Sequence, residues 1–165
     1  MESITPELHR VLSLSPHSKG FGFAVFEQQH RPLDWGVKRV RGQQPQLALR
    51  KVEALIGIYQ PEALLLEPPE RPRRSPRIQA LAVAIVEHAQ LRGIAVVAVN
   101  RNAVRVQFEP LGATTKHAIA AAIVQLIPAL APCLPAPRKP WQSEDARMAI
   151  FDAVALALCW YAEIQ

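Results

Sequence analysis

Cysteine is scarce in this 165-residue chain, which holds only Cys133 and Cys159. Neither belongs to a CxxC pair or a Cys/His cluster, which argues against zinc and implies no disulfide. A reducing, cytoplasmic setting is the expectation. Glycine is also sparse, 7 residues against 15 prolines, so the connections should be rigid rather than floppy. Long apolar runs are missing. The opening MESITPELHR has no apolar stretch of signal-peptide type, and the most apolar segment, Ala149 to Tyr161, is too short for a membrane span and carries Asp152 in its middle. It reads as a core helix, and no membrane partner is expected. No internal repeat or low-complexity tract occurs.

What is present is enough for one domain, residues 1–165, with a proper core: half of the residues are hydrophobic. The formal charge is +5 with a sequence pI near 9.7. That balance fits ordinary solubility or affinity for a polyanion, most often nucleic acid.

The stretch Val11 to Glu27, VLSLSPHSKGFGFAVFE, reads as two strands, Val11 to Ser15 and Phe21 to Glu27. Pro16-His17-Ser18-Lys19-Gly20 supplies the turn chemistry between them. Pro32 to Val40 is a third strand, completing an antiparallel meander. The period then changes: Leu47, Leu49, Val52, Leu55, Ile56 and Ile58 fall largely at helical spacing in Gln46 to Tyr59. Ala63 to Glu67 (ALLLE) is a short continuous apolar run, as expected of a strand covered on both faces. Pro76 to Arg92 is a helix with Ile78, Leu81, Ala82, Ile85, Ala89 and Leu91 turned inward and Gly93 closing it. Ile94 to Val99 is another fully buried strand, parallel to the previous one across the helical crossover. Arg101 to Phe108 is a short helix, Thr114 to Ile127 a longer one capped by Thr114, and the proline-rich Pro128 to Pro140 a loop. The last helix runs from an N-cap at Ser143 to Tyr161, with Glu144 and Asp145 at the positive end of its dipole. The expected fold is α/β: a mixed five-stranded sheet, meander first and parallel strands after, with helices on both faces.

Several residues carry possible chemistry. Ser15, His17, Ser18 and Lys19 gather at the end of the first strand. Glu67 stands at the tip of a buried strand, where a carboxylate is costly unless solvated, paired or bound to a cation. Asp152 interrupts an apolar helix face and raises the same question. Lys116 and His117 sit at a helix start, solvated or in contact with phosphate. Arg71, Arg73, Arg74 and Arg77 form an arginine-rich loop among prolines. With Arg101, Arg105 and the Arg138-Lys139-Pro140-Trp141 stretch they are candidates for nucleic-acid binding, because arginine pairs with phosphate and Trp141 can stack on an unpaired base. A solvated, proline-stiffened surface accounts for them equally well.

The element order and four stretches resemble the RNase H-like superfamily, in particular RuvC-type Holliday-junction resolvases. These are LSLSPHSKGFGFAVF, ALLLEPPE, GATTKHAIAAAI (Gly112 to Ile123) and SEDARMAIFDAVALAL (Ser143 to Leu158). The resemblance implies a site of four carboxylates holding two divalent ions for phosphodiester hydrolysis. Carried over, the glutamate matches Glu67 and one helix aspartate matches Asp152, while the first-strand aspartate falls on Ser15 and the other helix aspartate on Ala149. Asp145, His17 and Ser15 are the remaining candidates to complete a metal shell, with Lys116 near the phosphate. Asp145 precedes Asp152 by seven residues on one helical face, a rise of about 10 Å, so the two share an ion only if the helix begins late. A histidine ligand at His17 suits manganese or zinc better than magnesium.

Two functions follow from the resemblance. One is a protein acting on branched or structured DNA as a Mg2+- or Mn2+-dependent endonuclease with an altered site, working as a two-fold dimer. The other is a catalytically inactive scaffold, without a metal cofactor, that binds nucleic acid or a protein partner.

Overall fold

The structure, a computed structural model, describes residues 10–41, 45–69 and 75–164. Arg71, Arg73 and Arg74 of the expected arginine loop lie outside the described residues. Strands β1 (Val11–His17), β2 (Gly20–Gln28) and β3 (Arg31–Arg39) form the meander. Helix α1 (Pro45–Tyr59), strand β4 (Ala63–Leu66), helix α2 (Pro76–Leu91) and strand β5 (Ala95–Ala98) follow. The sheet order is β3-β2-β1-β4-β5. β1 pairs antiparallel with β2 and parallel with β4, and β4 pairs parallel with β5. The expected mixed five-stranded sheet, with helices on both faces, is what the chain forms.

Side-chain alternation along β1 divides the core. Leu12 and Leu14 point to one face, where they meet Val52, Leu55 and Ile56 of α1 and Leu81, Ala82 and Ile85 of α2. Val11 points to the other face, which is covered by helices α3 (Arg101–Phe108), α4 (Lys116–Leu126) and α5 (Met148–Ile164). Period-two alternation places Ser13 and Ser15 on this second face as well. Ser13 is fully buried, and its hydroxyl donates to the Ala153 carbonyl of α5 at 2.5 Å.

The sequence expectations need several adjustments. β1 continues through Pro16 to His17, leaving only Ser18 and Lys19 in the turn. β5 is not fully buried: it is an edge strand, so Ala95 and Ala98 are exposed and Val96 and Val97 only half-buried. Leu91 points into solvent, 87% exposed, at the last position of α2. Thr115 rather than Thr114 caps α4, its hydroxyl accepting from the Ala118 amide at 3.1 Å. The proline-rich loop contains a 3-10 segment, Pro128–Cys133. Trp35 and Trp160 are half-buried against the α5-side core. None of the described helices is long and apolar enough to cross a membrane.

The last helix begins later than expected, at Met148 instead of near Ser143. Asp145 accounts for the delay. Its carboxylate accepts from the Arg147 amide at 2.9 Å and from the Arg147 guanidinium at 3.0 and 2.9 Å, while its carbonyl accepts from the Met148 amide. A carboxylate folded back onto the next turn competes with helix in this way.

Candidate functional site

The carboxyl ends of β1 and β4, two parallel neighbours, open into one cleft of about 830 Å3. The crevice outside the carboxyl ends of parallel strands is the usual binding position in open α/β sheets. β1 contributes Ser15 and His17, the exit of β4 contributes Glu67, and α3 contributes Arg101 and Arg105. Lys116 stands at the first position of α4, and Glu144 and Asp145 in the segment before α5. Ala149 and Asp152 lie on the first turns of α5, with Lys19 and Arg39 near the meander end.

Lys116 ties the acidic side together. Its ammonium lies 2.5 Å from Glu144 Oε1 and 3.2 Å from Asp152 Oδ2. Burial by itself lowers the ammonium's pKa, but Asp152 and Glu144 outweigh it and the net shift is upward. Burial is also the main influence on Asp152, whose carboxyl is raised to about 6; Lys116 opposes this while the charges of Glu144 and Glu67 add to it. Asp145, by contrast, is held down to about 2 by its hydrogen bonds to Arg147. It lines the cleft, but its oxygens are committed to that guanidinium.

These shifts predict a pH dependence of stability. A carboxyl with a folded-state value above its ordinary 3.8 favours the fold when protonated. Stability contributed by Asp152 therefore rises as pH falls from about 6 towards 4. The shift of two units corresponds to about 3 kcal/mol. The side chain is 32% exposed, and solvent screening reduces the expected gain to about 1–2 kcal/mol. Asp145 acts with the opposite sign and in a lower window, losing stability as pH falls from about 4 to about 2. Urea unfolding of the wild type and Asp152→Asn at pH 7 and 4.5 checks this: the wild type should gain on acidification relative to the variant.

His17 is half-buried, and burial, Arg39 and Lys19 lower its pKa against the opposing charge of Glu144. The ring is neutral at pH 7. Its Nδ1 accepts from the Lys19 amide at 3.2 Å, which leaves the proton on Nε2, a buried atom without a hydrogen-bond partner among the described residues.

The two positions where the resemblance expects aspartates are neighbours. Ser15 pairs with Gly22 across the β1–β2 ladder, and a side chain on Gly22 would collide with Ala149, which is nearly buried. A serine hydroxyl brings no charge, and an alanine brings no ligand at all. Two divalent ions about 4 Å apart repel strongly unless carboxylates lie between them. Among the described residues no three His, Cys, Asp or Glu side chains are grouped to hold a metal ion. The residues present do not fit a two-metal centre.

Of the described nucleic-acid candidates, two line this cleft, one lines a second groove, and Arg77, Lys139 and Trp141 line neither. Arg101 and Arg105 line the cleft, one turn apart on α3. Arg77 is exposed in the first turn of α2. Arg138 lines an adjoining groove of about 630 Å3 that shares Lys116, Glu144 and Asp145 with the cleft. Trp141, 77% exposed, is covered on one side by the Lys139 ammonium, 5.4 Å from the ring centre. His117 lines the same groove as Arg138, its Nε2 lying 3.0 Å from the Pro135 carbonyl oxygen.

Sequence reasoning missed Glu144 as the partner of Lys116, Arg147 as the partner of Asp145, and Arg39 as part of the cleft wall. Arg147 lies two residues from Asp145 and was within reach of local reading. Lys116 and Glu144 are 28 residues apart, and Arg39 arrives through the meander register, so neither has a local signal.

No family model matches the chain, and no curated protein matches it by sequence. Solved structures do. The chain is similar to the Thermus thermophilus RuvC structure, with a TM-score of 0.65 and 22% identity over 94% of this chain and 96% of that one. It is also similar to T. thermophilus RuvC in complex with a Holliday junction substrate, with a TM-score of 0.62 and 20% identity over 94% and 95% of the two chains. Likeness over nearly the full length of both chains, at these identities, establishes the fold alone: the chain folds as the RuvC structures do.

Proposed function

We propose that the protein binds branched or structured DNA through the cleft at the ends of β1 and β4, as a RuvC-like scaffold without two-metal hydrolysis. The observation that carries this reading is the charge arrangement of the cleft. Asp145 is spent on Arg147, and Glu144 and Asp152 are spent on Lys116. Lys19, Arg39, Arg101 and Arg105 show no ion pair among the described residues, and with Lys116 they outnumber the lining acids Glu67, Glu144, Asp145 and Asp152 by five to four, so the wall carries a slight cationic excess. A cationic wall suits a phosphate backbone, and Trp141 beside the adjoining groove adds a surface on which a splayed base can stack. The RuvC structure with a Holliday junction supports a junction as the first substrate to try. A two-fold dimer belongs to the same proposal and is supported by the resemblance.

Fluorescence anisotropy with a labelled four-way junction, in EDTA, tests the binding. Affinity should be measurable at low salt and fall steeply as salt rises, by orders of magnitude between about 50 and 200 mM if six or more phosphates are engaged. Neither magnesium nor manganese should produce cleavage. Cleavage that disappears in Glu67→Gln would establish a metal-dependent endonuclease instead. Failure to bind junction or duplex at low salt would replace nucleic acid by a protein partner.

A further inference from the structure

We infer that the Lys116 ammonium is the resident cation of the carboxylate cleft, held where a divalent ion would otherwise sit, and that the chain therefore takes no magnesium or manganese there. This inference concerns the cleft alone and stands whether or not the protein binds DNA.

Lys116 occupies an unfavourable place for a cation on electrostatic grounds. It is the first residue of α4, where the helix dipole presents its positive end and unpaired amides. The Thr115 hydroxyl already accepts from the Ala118 amide, so no helix-capping role remains for the lysine. What holds it is a pair of carboxylates brought from a distant part of the chain, Glu144 at 2.5 Å and Asp152 at 3.2 Å. Both contacts pair the ammonium directly with a carboxylate oxygen, at salt-bridge distance. One nitrogen thus bridges an oxygen from the segment before α5 and an oxygen from α5 itself, which is the bridging geometry of a bound cation.

The charge balance points the same way. Ser15 and Ala149 stand in place of carboxylates, and among the described residues Glu144 and Glu67 are the acids whose charge acts on Asp152. A single ammonium engages an oxygen of each carboxylate of the pair and leaves that pair with one net negative charge. A divalent ion entering beside it would sit within a few ångströms of a fixed positive charge in a partly desolvated site, where like charges repel most strongly. Magnesium also surrenders its water reluctantly and usually needs one or two carboxylates of its own. Glu144 and Asp152 become such ligands only when the lysine leaves.

Manganese chloride is the probe. In wild-type protein labelled with 15N-lysine, the Lys116 ammonium resonance should be visible through its protection by the two carboxylates. It should survive millimolar manganese without paramagnetic broadening. Lys116→Gln, shown to be folded by circular dichroism, should bind manganese at least about tenfold more tightly than wild type by calorimetry, since two carboxylates are released to a hard cation. The double variant Lys116→Gln with Asp152→Asn should lose that gain. Wild type that binds manganese in the micromolar range and loses the Lys116 signal would overturn the inference. So would a folded Lys116→Gln that binds no better than wild type. If the variant does not fold, the wild-type resonance decides alone.

Discussion

Gly22→Ala is expected to destabilise the protein by about 3 kcal/mol, at the upper end of overpacking costs. For a chain of this size that corresponds to roughly 10 °C in the melting temperature. A Cβ at position 22 would overlap the Ala149 backbone carbonyl and approach the Ala149 Cβ to 2.6 Å. A flexible side-chain tip can move aside, whereas a helix backbone moves only as a body. Helix α5 would have to lift from β2, and with it would go the Ala153 carbonyl that Ser13 holds. Larger residues should prevent folding. Gly57→Ala is the control: the position lies within α1 with nothing near its missing Cβ. The same chemical change there should stabilise by about 0.5–1 kcal/mol, through the higher helix propensity of alanine. Thermal or urea unfolding of both variants checks the opposite signs.

The second large effect should come from reversing two charges on α3. Arg101→Glu with Arg105→Glu places two negative charges in the cationic wall of the cleft and is expected to lower affinity for a labelled junction by about 100-fold at low salt. The slope of log affinity against log salt should fall by about two, one for each phosphate contact removed. The fold should survive. Both residues are exposed, while Val104 and Phe108 carry the packing of the helix. A glutamate at the first position of α3 also suits the helix dipole better than an arginine. Unchanged junction affinity, with unchanged unfolding, would locate binding elsewhere on the surface.

Much of the architecture was legible because each element announces itself over a few residues. The meander is marked by turn residues between apolar stretches, α1 and α2 show helical spacing, and ALLL is an unbroken apolar run between turn signals. The misreadings share a cause. The run IAVVAV has the composition of a central strand, yet its place at the sheet edge is set by the order in which strands pair, which no local pattern records. Ser143-Glu144-Asp145 has the composition of a helix start, but Asp145 folds onto Arg147 and Glu144 reaches across to Lys116, so the helix waits until Met148. In the site, Glu67 and Asp152 stand out in sequence because a carboxylate in an apolar context is conspicuous. Their neutralising partners do not, because long-range ion pairs have no periodicity. Loss of charge at Ser15 and Ala149 was visible from the resemblance, but that both positions meet at Gly22 required the strand register.

The buried hydroxyl of Ser13 has a consequence for how the cleft is assembled. Where α5 crosses the sheet it meets Gly22 and Ala24 of β2, small residues that offer a smooth floor. A helix resting only on such a floor can roll about its axis with little loss of contact, and a roll of one residue is about 100°. That rotation would carry Asp152 out of the cleft and bring an alanine in. The bond from Ser13 to the Ala153 carbonyl, one residue from Asp152, sets the phase of the helix. Its hydroxyl works as an indexing pin: it touches no ligand, yet it determines which side chain α5 turns towards the solvent-filled end of the sheet.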